Sequence, residues 1–294
     1  MAEFRSGIVA VVGRPNVGKS TLVNLMVGQK VSIVSDKAQT TRKRILGILT
    51  TGAFQIVFAD TPGIQGVKHK FNQILNETAR QTLDGVDCIL MVVDVSRHPG
   101  KEDEEVAQLV SSSAAPKVLC LNKMDLLKPA LVEDNHNAYL KLVPGAESMM
   151  TCMTKAQNSD LLLGLVLENC PEGPPLYPAE TISDQTERSR AAEFVREKVL
   201  QATRQEVPHA VATYIENWEV EGSLTRVSAV ILVETEGQKA IIIGQKGKML
   251  KAIGTKARLD IEAMTGTKVY LELFVKVRTN WRGNMKLLHE LELV

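Results

Sequence analysis

The sequence predicts an α/β nucleotide-binding domain with a mostly parallel sheet, followed by a smaller α+β domain. Three observations carry this. Apolar, strand-like runs alternate with helical stretches over the first half of the chain. A glycine-rich segment, Gly13-Arg14-Pro15-Asn16-Val17-Gly18-Lys19-Ser20, joins one such run to the helix-like Thr21-Leu22-Val23-Asn24-Leu25-Met26. A proline cluster, Pro171-Glu172-Gly173-Pro174-Pro175-Leu176-Tyr177-Pro178, then breaks the pattern, because proline removes backbone donors and fixes φ. With 294 residues, 44% of them hydrophobic, there is material for two cores. The expected division is a first domain over 1–175, a linker over 176–185 and a second domain over 186–294.

In the first domain the strand-like runs are Ile8 to Val12, Arg44 to Thr51, Phe54 to Ala59, Cys88 to Val93, Lys117 to Leu121 and Ser148 to Thr151. Gly52-Ala53 leaves room only for a tight turn, so the second and third runs pair antiparallel. The other pairs have the length for helical crossovers.

The segment from Gly13 to Ser20 fits GxxxxGK[ST] between a strand and a helix. Backbone N–H groups converge there, and the helix dipole and a lysine add positive charge, which suits phosphates. The predicted contacts are Gly13, Asn16, Val17, Gly18, Lys19, Ser20 and Thr21, with Lys19 on the terminal phosphates and Ser20 on magnesium. The run from Phe54 ends in Asp60-Thr61-Pro62-Gly63, which delivers a second magnesium ligand, Asp60, and a backbone N–H of Gly63 for the γ-phosphate. Asn122-Lys123-Met124-Asp125 follows another run, at the sheet edge where ligands of open α/β sheets bind. The Asp125 carboxylate can accept from both the ring N–H and the exocyclic amine of guanine, a donor pair that adenine lacks. The ligands read from these residues are therefore GTP and GDP.

The net charge of +1 argues neither for nor against a polyanionic partner, so the distribution of charge has to be read. Cys88, Cys120, Cys152 and Cys170 show no CxxC spacing and read as buried reduced thiols, and the five histidines show no metal-ligand spacing. No signal peptide or membrane span is apparent, which leads to the expectation of a cytoplasmic protein.

The second domain opens on a helix, with Asp184 and Glu187 as a capping pair and Ala192, Val195, Val199 and Ala202 at helical spacing. Strand-like Ala210 to Trp218 and Arg226 to Glu234 follow, then the apolar Ile241-Ile242-Ile243 leading into Gly244-Gln245-Lys246-Gly247, a helix, and a last strand over Lys268 to Val277. On the helix after the GxxG, Leu250, Ile253, Ala257, Ile261 and Met264 share one face, opposite Lys248, Lys251 and Arg258. From Lys239 to Lys286 eleven basic residues stand against three acidic ones, the imbalance of a phosphate-tracking surface. Gly244 and Gly247 allow close backbone approach, Gln245 and Lys246 project outward, and Ile243 and Ile253 are read as apolar supports for bases. Tyr270 and Phe274 are assigned to core packing.

With these motifs in this order, the first domain resembles the Ras-like GTPases, in their translation-factor-related branch. The second resembles a type II KH domain, which clamps about four single-stranded nucleotides against its GxxG. Together with Val275-Lys276-Val277 and Trp281-Arg282 near the end, the chain is similar to the Era family. The resemblance implies a GTP-hydrolysing, RNA-binding switch without a general base, acting on the 3′ end of small-subunit ribosomal RNA and on assembly of the small ribosomal subunit.

It also implies that Lys37-Ala38-Gln39-Thr40-Thr41-Arg42 is the first switch, with Thr41 reaching magnesium and Thr40 as the open alternative. In Thr151-Cys152-Met153-Thr154-Lys155, backbone N–H groups of Thr151 and Cys152 would meet the guanine carbonyl. Ile64 stands where Ras-type enzymes carry the glutamine that orients water, so unassisted hydrolysis should be slow. Asn16 helps to hold a potassium ion in several members of the branch, and that role is carried here as a hypothesis. RNA contacts are expected at Ile243, Gly244, Gln245, Lys246, Gly247, Lys248, Lys251 and Arg258. The expected state is a monomer, with peripheral association at the cytoplasmic face of the inner membrane as an alternative use of the basic surface.

Overall fold

The computed structural model describes residues 3–37, 39–64, 70–204 and 206–291. It divides into two compact units, one running to Ser32 and from Thr41 to Asp184, the other combining Ile33–Thr40 with the chain from Gln185 onward. Ala38 of the first-switch stretch lies outside the described residues.

The first unit is built from β1 (Arg5–Val12), α1 (Lys19–Val27), β2 (Ile45–Thr50), β3 (Phe54–Asp60), α2 (Lys70–Gln81), β4 (Cys88–Asp94), α3 (Lys101–Ser111), β5 (Lys117–Asn122), α4 (Val132–Leu142), β6 (Glu147–Met150) and α5 (Ser159–Glu168). The strands form one six-stranded sheet in the order β2-β3-β1-β4-β5-β6, with only β2 antiparallel, paired to β3 across the Gly52-Ala53 turn. Side-chain alternation splits β1, β4 and β5 between two cores, and β3 between the first of these and a smaller cluster of Leu46, Ile48, Val57 and Ala59 shared with β2. Val9, Val11, Phe58, Leu90 and Cys120 face α1 and α5, while Ala10, Val12, Met91, Leu119 and Leu121 face the other layer with Val106 and Tyr139. All four cysteines are buried and free. Buried polar residues stand at the carboxyl ends of three strands, where Asp60, Asp94 and Asn122 terminate β3, β4 and β5.

The stretch after the prolines runs along the edge of this sheet. Ile48 N donates to Ile182 O at 2.9 Å, and Leu46 N donates to the Asp184 carboxylate at 3.0 Å. Asp184 is therefore committed to β2, and the expected Asp184–Glu187 cap is replaced. The next helix, α6 (Glu187–Ala202), is capped by Thr186, whose hydroxyl accepts from Ser189 N at 3.1 Å.

The second unit continues with β7 (Ala212–Glu221), β8 (Leu224–Val233), α7 (Glu236–Ile243), α8 (Lys248–Thr265), β9 (Lys268–Val277) and α9 (Met285–Glu290). The sheet order is β7-β8-β9, with β7 and β8 antiparallel and β9 parallel to β8. Val195, Val199, Ala229, Ile231, Ile242, Ile253 and Ala257 form its core between the helices and one sheet face. Trp281 is buried and donates its indole N–H to Ala210 O at 2.9 Å.

Ile33 packs with Ala191, Phe194, Leu200 and Val227, Val34 N donates to Glu197 at 2.9 Å, and the buried Arg196 donates to Thr40 O. Ile241 to Ile243 are the end of α7, so the apolar stretch that leads into the GxxG is helical. Tyr270 and Phe274, expected in the core, are 50% and 45% exposed. Val269, Leu271, Leu273 and Val275 take the helix-facing positions of β9, so the two aromatic rings point to the open face, where Arg226 lies 5.5 Å from the Tyr270 ring centre.

Candidate functional site

The phosphate loop is shaped by what its glycines make room for. Gly18 begins α1 at φ 108, and a Cβ there would lie 2.3 Å from Asn122 Nδ2, so any larger residue is both strained and obstructed. Val17 is buried in the core and its carbonyl accepts from Asn122 Nδ2 at 2.8 Å. Thr21 lies half-buried in the first turn of α1, and Asn16 is exposed with φ 64.

Lys19 is 6% exposed and donates to Gly13 O at 2.9 Å and Arg14 O at 3.0 Å. Burial pulls its pKa down to about 8, Arg14 adds to the fall, and Asp60 opposes it. Phosphate oxygens would supply the negative charge that this buried ammonium lacks.

Ser20, Thr41 and Asp60 meet beside it. Ser20 Oγ donates to Asp60 Oδ2 at 2.7 Å and lies 3.0 Å from Thr41 Oγ1, which is itself 3.5 Å from Asp60 Oδ2. Asp60 is fully buried, its Oδ1 has no hydrogen-bond partner, and burial raises its pKa against the opposing charge of Lys19. A divalent cation fits this set, since one orphaned carboxylate oxygen and two hydroxyls are hard oxygen donors. Among the described residues no cluster of three or more His, Cys, Asp or Glu could hold a metal, so phosphates and water would have to complete the shell.

Thr40 does not compete for this position. Its hydroxyl donates to Lys37 O at 2.6 Å. Gly63 abuts the phosphate loop, where a Cβ would come within 2.8 Å of Pro15 N. Ile64 is 7% exposed among Ala10, Val12 and Met91, and carries no group that could orient water.

On the base side, Asn122 Oδ1 accepts from Met153 N at 3.1 Å, and Lys123 Nζ donates to Asn16 O at 2.7 Å and to Asp94 at 2.9 Å. The Cys152 side chain, with the Lys155 ammonium 3.6 Å away, holds the Asp125 carboxyl below its ordinary range. Thr151 and Cys152 do flank this region, but their backbone N–H groups are already used. Thr151 N donates to Leu121 O at 2.9 Å and Cys152 N to Gln157 O at 3.2 Å, so neither is available to a guanine carbonyl as expected. Asp94 escaped the sequence reading, although it ends an apolar run in the same manner as Asp60.

In the second unit the GxxG joins α7 to α8. Gly244 has φ 68, and a Cβ on it would meet Met249 Cβ at 2.8 Å. Gln245 and Lys246 are exposed, Lys246 at φ 51, and Gly247 caps α8. Lys248 and Lys251 are exposed beside the turn, and Ile243 is half-buried. Arg258 is half-buried and lies 3.5 Å from Glu262, which also accepts from Val269 N at 3.0 Å. Ile253, expected to support a base, is 1% exposed and belongs to the core. Among the described residues no helix is long and apolar enough to cross a membrane.

Comparison with known proteins matches residues 8–123 to the family described as 50S ribosome-binding GTPase, and residues 206–282 to the KH domain. The chain is similar to GTPase Era of Heliobacterium modesticaldum, 45% identical over 96% of this chain and 95% of that protein. GTPase Era of Staphylococcus haemolyticus is 40% identical over 99% and 98%. Among solved structures, Era in complex with MgGDPNP and nucleotides 1506–1542 of 16S ribosomal RNA superposes with a TM-score of 0.95 at 38% identity, covering 99% of both chains. An Aquifex aeolicus Era variant bound to GDP and aluminium fluoride gives 0.94 at 38% identity, covering 99% of this chain and all of that one.

The geometry at Ser20 predicts different outcomes for the two threonines. Thr41→Ala should weaken magnesium-dependent binding of a nonhydrolysable GTP analogue roughly tenfold, about 1.4 kcal/mol, and leave GDP affinity unchanged. Thr40→Ala should alter neither. Titration calorimetry with both nucleotides measures the difference, and equal effects of the two substitutions would remove Thr41 from the metal site.

Proposed function

We propose that this chain, which belongs to the Era family of GTPases, is an RNA-binding switch that acts on the 3′ end of small-subunit ribosomal RNA during assembly of the small subunit. It hydrolyses GTP to GDP and phosphate. The single observation that carries the nucleotide half of this reading is the gathering of Lys19, Ser20, Thr41, Asp60 and Asn122 at one sheet edge, on segments far apart in sequence. Gly13, Asn16, Val17, Gly18, Lys19, Ser20 and Thr21 line the phosphates, Ser20, Thr41 and Asp60 hold magnesium, and Gly63 meets the γ-phosphate. Asn122 and Lys123 brace the loop, and Asp125 reads guanine. Magnesium, when bound, would neutralise negative charge on the phosphates.

Hydrolysis needs a positioned water rather than a general base. The buried Ile64 cannot orient that water, so unassisted turnover is slow and charge stabilisation has to come from elsewhere. We assign that role to a potassium ion held with the help of the exposed Asn16. The RNA half rests on the GxxG turn, with the main chain of Gly244 and Gly247 on the backbone of the RNA and Ile243, Gln245, Lys246, Lys248, Lys251 and Arg258 around it. The segment Ile33–Thr40, which is counted with the second unit, ends one residue before Thr41. Ordering of Thr41 by GTP is therefore felt in the chain of the RNA-binding unit. The protein acts as a cytoplasmic monomer in this reading.

Asp125→Asn should lower GTP affinity roughly 10- to 100-fold and shift preference toward xanthosine triphosphate, which restores a complementary pair of hydrogen bonds. Unchanged GTP affinity would exclude Asp125 from the base site. Gly247→Asp should weaken binding of a 16S 3′-end oligonucleotide at least about tenfold while phosphate release continues at the parental rate, because bulk and negative charge meet the RNA phosphates. Retained RNA binding moves the clamp elsewhere, and flotation of the parent protein with anionic liposomes that competes with RNA would favour a lipid surface instead. Turnover should rise at least about tenfold when sodium is exchanged for potassium, and equal rates would refute the cation role.

A further inference from the structure

A cluster of four charged side chains, of which only Lys123 is among the groups expected to bind nucleotide, joins the phosphate loop to the base-recognition segment. Arg14 Nε lies 3.1 Å from Asp103 Oδ1 and 3.2 Å from Oδ2, and its terminal nitrogen lies 3.8 Å from Asp94 Oδ2. That same Asp94 oxygen accepts from Lys123 Nζ at 2.9 Å, and Lys123 also donates to the Asn16 carbonyl at 2.7 Å. Both carboxylates have side chains only 4% exposed, and Arg14 only 16%, so the ion pairs of Arg14 are shielded from solvent and salt, whereas Lys123 is 30% exposed and its bond to the Asn16 carbonyl faces solvent.

Each acid is itself anchored. Asp94 Oδ1 accepts from Ser96 Oγ at 2.6 Å, the Asp94 carbonyl accepts from Tyr139 OH at 3.1 Å, and Asp103 Oδ2 accepts from Gly100 N at 3.1 Å at the start of α3. Between Arg14 and the Asn16 carbonyl the loop contains Pro15 and Asn16 itself at φ 64, a left-handed conformation that asparagine tolerates better than most residues. The loop is held on both flanks of that turn, and the two holds share one carboxylate oxygen.

We propose that Arg14 and Asp94 are positioning residues for nucleotide binding, forming a relay that locks the Pro15-Asn16 turn of the phosphate loop to Lys123 of the base-recognition segment. The relay rests on the nucleotide site described under Proposed function, and it makes the phosphate side and the base side of that site one cooperative unit. Asp103 braces Arg14 from α3, and Arg14, Asp94 and Asp103 act through the loop and through Lys123 rather than on the substrate itself.

The test is a double-mutant cycle on GDP affinity, read by fluorescent-GDP titration of the full-length protein, with Arg14→Gln and Lys123→Met alone and together. Each single change should weaken GDP binding, and the pair should be at least about fivefold less damaging than the product of the singles. In an Asp94→Asn background the same cycle should become multiplicative, because the shared oxygen no longer carries charge. Thermal melts of the nucleotide-free variants separate this from a general loss of stability, which would shift the midpoint without coupling the two sites in GDP affinity. Multiplicative effects in the unaltered background overturn the relay, and that measurement decides even if Asp94→Asn does not fold. The base preference of Asp125→Asn is measured in parallel. If it shifts toward xanthine while the cycle is multiplicative, the site reading stands and only the relay fails, whereas an unshifted preference indicts the site itself.

Discussion

One side chain, the amide of Asn122, ties together everything the nucleotide site needs. Its Nδ2 donates to Val17 in the phosphate loop and its Oδ1 accepts from Met153 in the base-side loop, while the amide fills the space that a Cβ on Gly18 would take. A glycine is required opposite it, and the left-handed turn that glycine allows starts α1 with its first N–H groups directed at a common point. Substituting either partner would disturb the other, since the amide is buried and both its ends are used. The parallel strands β1 and β5, separated by β4, bring these groups together at their carboxyl ends.

Electrostatics follow from that enclosure. A buried lysine with a depressed pKa and a buried aspartate with a raised one both sit in a state that costs the empty fold free energy. Phosphate beside Lys19 and a cation beside Asp60 would reverse both penalties, so burial primes the site for a polyanion and its metal together. The second unit handles polyanions differently. Lys246, Lys248 and Lys251 are exposed around a turn of glycines, a surface with little burial cost and a strong dependence on salt.

Contiguous motifs were the most legible part of the chain. GxxxxGKS, Asp-Thr-Pro-Gly and Asn-Lys-Met-Asp each carry their chemistry within a few residues, and apolar alternation located the strands that present them to within one to three residues at either end. The antiparallel β2–β3 pair followed from a two-residue turn that admits no crossover. Legibility failed where two local solutions were equally good. Asp184 and Thr186 are both competent caps, and only the docking of Asp184 on Leu46 leaves the role to Thr186. Along β9 the alternation itself was informative, since Lys268, Glu272 and Lys276 share the face of Tyr270 and Phe274 while Val269, Leu271, Leu273 and Val275 share the other; the aromatic character of the two rings had outweighed that pattern, and both proved to be on the open side. Ile253 has the spacing of either a base support or a core residue, and packing made it the latter.

By itself the sequence determined the fold class, the order of the nucleotide motifs and the glycine-bearing turns that begin α1 and α8, because these depend on residues near one another in the chain. Tertiary structure alone decided that Thr41 rather than Thr40 reaches Ser20 and Asp60, that the N–H groups of Thr151 and Cys152 are already spent, and that Arg14 finds Asp94 and Asp103. Apart from the local bond of Cys152 N to Gln157 O, those outcomes hang on hydrogen bonds and ion pairs between groups tens of residues apart. Their partners are selected by strand register and burial, which no local pattern of residues encodes.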